Sequence, residues 1–268
     1  MKDMTVAEFR DRLTPQTVIL LPFGSQEEQG PHAPMGDYML ADAVACKAAE
    51  LSGAIAAPCV PFGYAEFFRG FPGGIQLRAA TFTALVEDML GAFLDHGIER
   101  LLILNGHTTN SSLIDQVQRK IRRERDVAVA SIDLWRSIPD SLWNEIHGGD
   151  ASRARGHGAD PLTSLGLYLY PEKMRPDLIR PSVAAKALGL AETSTAGVRF
   201  EGVPVNLPLD AHEVNADGML GGDALLASAE AGHRIFDHVT GLVARFAAHM
   251  RGCDPRRPFA LPQTQAAE

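Results

Sequence analysis

The chain is poor in cysteine, has no long apolar run and carries no excess of positive charge. Only three cysteines, Cys46, Cys59 and Cys253, occur in 268 residues. An odd count without a Cys-x-x-Cys pair argues against a disulfide framework or a thiolate zinc site. Cys46 falls in a predicted helix and Cys59 in a predicted strand, where free thiols behave as small buried apolar groups. No stretch approaches the roughly 20 apolar residues that cross a bilayer. The start, MKDMTVAEFRDRL, lacks the apolar centre of a signal peptide. A cytoplasmic location without a membrane partner is therefore expected. The net charge of −8 offers no basic face for a phosphate backbone, so nucleic acid is not an expected partner. One basic run, Arg119 to Arg125, sits at the end of a predicted helix, where cations complement the helix dipole. No Gly-x-Ser-x-Gly elbow, Walker loop or His-Glu-x-x-His helix occurs.

What is present is an ordinary globular composition, 46% hydrophobic and 22% charged. The length fits one α/β domain over residues 1–251, followed by a proline-rich, loosely ordered or subunit-packed tail over 252–268. Strand and helix signals alternate through the first half. Strands are expected at Val18 to Phe23, Ala54 to Val60, Arg100 to Leu104 and Val127 to Leu134. Helices are expected at Tyr38 to Leu51, Ala79 to His96 with Gly97 as cap, and Ser111 to Arg125. Fully apolar strands in this alternation predict a mostly parallel sheet covered on both faces. The second half is less regular. It reads as short helical pieces from Trp135 to Arg155, a helix from Pro161 to Tyr170, loops and short strands from Pro181 to Gly221, and a long amphipathic helix from Asp223 to Met250.

Three clusters carry chemistry. The first follows the opening strand: Glu27, Glu28, His32 and Asp37 lie in a loop punctuated by Gly24, Gly30, Pro31, Pro34 and Gly36. Carboxylates and an imidazole at the carboxyl edge of a sheet suit Zn²⁺, Mn²⁺ or Fe²⁺. The second is Asn105-Gly106-His107-Thr108-Thr109-Asn110 at the end of the third strand, where a tight or positive-φ turn at Gly106 would aim His107 over the same edge. The third is Gly156-His157-Gly158-Ala159-Asp160. Here Asp160 is either a helix cap or an orienting partner for His157, and His157 is a natural proton shuttle, with His147 as a weaker rival. His96, His233, His238 and His249 lie on helices as surface or core residues, and His212 is ambiguous. The turn Gly70 to Gly74 is not a phosphate loop. It is expected to wall a pocket with Tyr64, Phe67, Phe68 and Arg69, and Thr108 is a further candidate for the substrate pocket.

These pieces, in this order, resemble the creatininase (creatinine amidohydrolase) family. Its pattern P-x-G-S-x-E-Q-H-G-P-H-L-P-L-G-T-D is similar to the segment from Pro22 to Asp37. Its F-P-G-T turn resembles Phe71-Pro72-Gly73-Gly74, its N-G-H-G-G-N resembles Asn105 to Asn110, and its H-A-G-E-x-E-T-S resembles His157 to Ser164. The resemblance covers roughly residues 5 to 250. It implies a three-layer α/β/α sandwich with a mostly parallel central sheet, a small-molecule substrate, at least one divalent metal per chain, and a homo-oligomer, often a hexamer. It implies Glu27, Asp37 and His107 as metal ligands, Asp37 matching after a one-residue gap where Tyr38 would be the gapless match. It implies His157 as a catalytic residue.

Departures from the pattern matter as much. Gln29 stands where the family has a histidine, Thr109 where creatininase has a carboxylate, and Leu162 where E-T-S has one. A neutral amide is a poor ligand beside imidazole. One strong metal site is expected, with a second weakened or absent and Asp160, Glu28 or His32 in partial compensation. The expected reaction is hydrolysis of an amide C–N bond by metal-activated water, with His157 moving the proton. The alternatives are a metal-dependent lactonase, C–C hydrolase or isomerase on a sugar-like substrate, and a non-catalytic ligand-binding homologue.

Overall fold

The structure is a computed structural model in which residues 1–181, 186–191 and 195–260 are described. Val18–Phe23 forms β1, Ile55–Ala56 β2, Arg100–Asn105 β3 and Ala130–Asp133 β4. They build one parallel sheet in the order β2-β1-β3-β4. The helices are α1 (Val6–Asp11), α2 (Tyr38–Ser52), α3 (Ala79–Leu94), α4 (Ser111–Arg125), α5 (Asp140–His147), α6 (Ala151–Ala154), α7 (Leu162–Leu169), α8 (Ala211–Val214) and α9 (Ala229–Met250). Two small antiparallel pairs complete the description: Lys186–Ala187 (β5) with Leu190–Ala191 (β6), and Gly197–Phe200 (β7) with Val203–Asn206 (β8). The expected loops and short strands of this region are seen in part; residues 182–185 and 192–194 lie outside the described residues, as does the end of the tail, 261–268.

The sheet is the middle of three layers because successive side chains on a strand point to opposite faces. Val18, Leu20, Leu102 and Leu104 pack with α2, α7 and α9 on one side. Ile19, Leu21, Phe23, Leu101 and Ile103 pack with α3 and α4 on the other. Every residue of β1 is buried. Each Leu or Ile so buried stabilises the fold by about 1.5–3 kcal/mol.

The register positions the site. β1 and β3 run side by side from Val18↔Arg100 to Phe23↔Asn105, and Asn105 is level with Asp133 of β4. The carboxyl ends of three strands therefore finish abreast. The loops that leave β1 and β3 start from neighbouring points.

Several elements differ from expectation, each for a local reason. The second strand shortens to Ile55–Ala56 because Pro58 has no N–H for the ladder, although Val60 N still donates to Pro22 O at 3.0 Å. The fourth strand starts only at Ala130, since Ala128 N bonds Pro255 O at 2.8 Å instead of a strand. Tail residues up to Arg256 thus pack on the sheet, and Arg256 Nε meets Glu99 Oε1 at 2.9 Å. The long final helix splits. Asp223 caps one 3₁₀ turn, and Ser228 caps α9 by accepting from Ala231 N at 3.1 Å. Gly106 does not adopt a positive φ. Its need for glycine is steric: a Cβ there would sit 2.9 Å from Ala41 Cβ. The cations of the basic run pair locally, Arg119 with Asp115, Lys120 with Glu87 and Arg122 with Asp126. Cys46 and Cys59 are half-buried free thiols, and Cys59 lies just outside a strand.

Candidate metal centre

Glu27, Asp37 and His107 meet where β1 and β3 end. One ligand atom from each lies within 4.8 Å of the others, and all three side chains are buried. Gly24 makes room at the start of the loop, since a Cβ there would lie 2.5 Å from Asp37 Oδ1. Asp37 sits at the N-terminal boundary of α2 but makes no side-chain cap. Its carboxylate turns inward, where Oδ1 accepts from Ser25 N at 2.7 Å and Oδ2 lies 3.1 Å from His107 Nδ1. Tyr38, the gapless alternative, is the first residue of α2. Glu27 Oε2 also lies 3.1 Å from His107 Nδ1, off the line of a hydrogen bond. Glu27 Oε1 accepts from Gln29 Nε2 at 3.1 Å.

The far side of the imidazole fixes its tautomer. His107 Nε2 lies 3.1 Å from the Tyr64 carbonyl and 2.5 Å from Thr109 Oγ1, whose own hydroxyl donates to Tyr64 O. A proton on Nε2 satisfies both oxygens and leaves the Nδ1 lone pair facing the carboxylates. Metal-binding histidines are oriented in this way. Two buried carboxylates with no Lys or Arg partner among the described residues are costly unless a cation joins them. Burial and the neighbouring Glu27 charge push Asp37 up to about 6, against the opposing pull of His107. Burial works against a charged His107, but the two carboxylates outweigh it and hold its pKa well above the usual histidine value. Glu27 is drawn down, since the facing imidazole more than offsets its burial. Without a cation the cluster keeps a proton where a cation would sit, and its N/O donor set fits Zn²⁺, Mn²⁺ or Fe²⁺.

His157 stands beside this triad. Its segment is held by a two-way backbone bridge with Leu220, at 3.1 and 3.0 Å. The ring lies on Phe68 at 4.4 Å between centroids. Nε2 lies 2.6 Å from the Glu28 carbonyl, and Nδ1 lies 3.8 Å from Glu27 Oε1. Burial lowers the pKa of His157, but the Glu28 hydrogen bond and the charges of Glu28 and Glu27 leave it raised overall. Glu28, not Asp160, is therefore the residue that orients His157 among the described residues. Glu28 Oε1 accepts from Gly30 N, and Gly218 leaves the space that its carboxylate occupies. Asp160 serves the helix rather than His157: it lies one residue before the α7 N-cap, Pro161, where Oδ1 accepts from Ser164 N of the first turn at 3.0 Å, and Oδ2 lies 3.0 Å from His147 Nε2. His147, the rival shuttle, is stacked against Trp143 and is not among the cavity-lining residues. His32 is fully buried, with Nε2 3.0 Å from Thr163 Oγ1, and is not brought to the triad.

A cavity of about 740 Å³ opens over these groups. Glu27, Asp37, His107, His157 and Asp160 line it, as do Phe68 and Thr108. Tyr64 and Arg69, expected on its wall, do not line it. Tyr64 supplies a backbone carbonyl behind His107, and Arg69 turns outward to Asp210 at 2.9 Å. Trp135, Arg136, Asp140, Trp143 and Arg155 also line the cavity, and none is among the residues the sequence pattern points to. One available signal was that Trp135 and Trp143 are the only two tryptophans of the chain.

The creatinine amidohydrolase family model matches residues 2–247. The chain belongs to the creatininase family. It is thus a metal-dependent hydrolase of the amidohydrolase type. Creatinine amidohydrolase of Pseudomonas putida is 32% identical over 196 residues, 66% of this chain and 74% of the relative. The 3-dehydro-scyllo-inosose hydrolase of Thermotoga maritima is 28% identical, over 65% of this chain and 57% of its own length. A mycofactocin precursor peptide peptidase of Mycolicibacterium smegmatis is 29% identical, over 82% and 79%. A solved creatininase designated Mn superposes with a TM-score of 0.74 at 26% identity, covering 92% of this chain and 96% of that one. A creatininase mutant designated Zn-Zn type gives 0.72 at 27%, covering 92% and 95%. The creatininase relationship agrees with the three-layer sandwich, and no helix among the described residues is long and apolar enough to cross a membrane.

Proposed function

We propose that this creatininase-family chain hydrolyses an amide C–N bond in a small cyclic or linear molecule, using one secure divalent cation site. The observation that carries the reading is the convergence of Glu27, Asp37 and His107 at the floor of the cavity, with His157 alongside. A divalent cation held by these three residues supplies a Lewis acid for a carbonyl and makes water acidic enough to attack near neutral pH. The Tyr64 carbonyl and Thr109 hydroxyl keep His107 in the tautomer that presents Nδ1. His157 donates its Nε2 proton to the Glu28 carbonyl, so Nδ1 is left to take a proton and hand it to the leaving nitrogen. Phe68 packs on the ring and limits its rotation.

The single-site reading rests on neutral neighbours. Gln29 Nε2 donates to Glu27, which leaves only a buried amide oxygen, a poor ligand beside imidazole, and Thr109 spends its hydroxyl on Tyr64 and His107. Titration of metal-free protein with Zn²⁺ and Mn²⁺ tests it: one tight equivalent per chain is expected, and two tight equivalents sink it. A second reading, hydrolysis of a carbon–carbon or lactone bond in a sugar-like substrate, draws on the likeness to the inosose hydrolase. Amine release, as against acid release alone, separates the two. Cytoplasmic location and homo-oligomeric assembly complete the proposal, and light scattering checks the latter.

A further inference from the structure

The cavity lining includes one under-used cation. Arg155 lines the cavity, and its guanidinium lies over the Trp143 ring, 4.8 Å from the ring centre, in a cation–π contact. A guanidinium has five N–H donors. Among the described residues only Nη2 meets an acceptor, Asp140 Oδ1 at 2.8 Å, and Nε is buried without any hydrogen bond. Asp140 is a weak holder: its side chain is 82% exposed, and exposed ion pairs contribute little. The Arg155 side chain itself is 38% exposed. A planar cation seated over an aromatic ring, with a loosely attached surface carboxylate at one end, is arranged to exchange that carboxylate for another.

We infer that Arg155 is a substrate-recognition residue and that the substrate carries a carboxylate, which replaces Asp140 on its guanidinium. The inference rests on the hydrolase reading above, which places the scissile bond at the triad in the same cavity. The carboxylate end of the substrate lies toward Trp143, Asp140 and Arg155. A phosphate group is disfavoured, because the cavity lining already carries Glu27, Asp37, Asp140 and Asp160 against only two arginines. A second negative charge would meet net repulsion.

The test uses the full-length, zinc-loaded protein and three matched fragments: 3-phenylpropionate, 3-phenylpropionamide and 2-phenylethylphosphonate. Affinities are read by ligand-observed NMR and calorimetry. The acid is expected to bind tighter than the amide by about tenfold or more, the scale of one charge-assisted hydrogen-bonded contact. Arg155→Gln should abolish that preference. Arg155→Lys, which keeps the charge without the fork, should retain only part of it. Asp140→Asn should strengthen acid binding several-fold by removing the internal competitor, and this surface substitution keeps the test open even if Arg155→Gln fails to fold. Equal affinity for acid and amide, binding of neither, a preference that survives Arg155→Gln, or a phosphonate that outbinds the acid each overturns the inference. Zinc content of the same samples reports on the hydrolase reading separately. Protein that takes up no zinc sinks that reading whichever fragment binds.

Discussion

The two halves of the chain make different parts of the site by different means. The first half, through β4, supplies the proposed metal ligands from loops that leave adjacent parallel strands. Their positions follow from strand register and from glycines that let the backbone pack closely. The second half supplies His157 and Asp160 from irregular backbone, and the proposed recognition residues around Arg155 from that backbone and from α5, held in place by contacts with distant segments. Binding a cation is thus written into the local topology. The proposed proton transfer and substrate selection depend on tertiary packing.

The sharpest way to break this division is at His107. His107→Ala should lose both metal and activity, measured together by elemental analysis and turnover, while the fold persists by circular dichroism. His157→Ala should do the opposite: metal content is retained and kcat falls about 10²–10⁴-fold, the range of a lost general acid–base group. A fully active His157→Ala enzyme would remove the second half from the chemistry. Protons and cation compete in the first half. His107 titrates well above its usual value and Asp37 at about 6 in the cation-free cluster, so apparent metal affinity should fall steeply as pH drops through about 6 and keep rising above it. Chelator-competition titrations across that range check the sign, and a flat profile contradicts it. Thr109→Val removes one of the two oxygens that fix the His107 tautomer but leaves the Tyr64 carbonyl. Metal affinity should weaken by about tenfold, the lower end for outer contacts to a ligand. The smallest effect belongs to the scaffold. Ser228→Ala removes the α9 cap and should cost about 1 kcal/mol in denaturant unfolding, with turnover unchanged.

The sheet was legible because its strands are continuous apolar runs between turn residues. Val18–Phe23 and Ser111–Arg125 fall where the pattern places them. The triad was legible because Glu27, Asp37 and His107 sit just beyond such runs. The orienting groups were not, because several are backbone carbonyls. Nothing in the identity of Tyr64 or Glu28 announces that its C=O will receive an imidazole proton. Sequence left two roles open for Asp160, and only the fold decides between them. His157 is close in sequence and lies beyond a turn, whereas His147 is delivered by α5 directly onto the carboxylate. Arg155 was hidden because its role depends on the Trp143 ring beneath it, and that pairing exists only after α5 and α6 pack.

Gly218 gives the site a remote point of failure. It adopts φ +73°, and any Cβ there would collide with the Glu28 carboxylate. Glu28 carries the carbonyl that holds His157, and the adjoining Leu220 carries the backbone bridge that holds the segment around it. A single added methyl group on a loop far along the chain would therefore push on the proposed proton-transfer residue from two directions. When natural variants of this chain are sorted by severity, substitutions of this glycine belong with those of the histidine it protects.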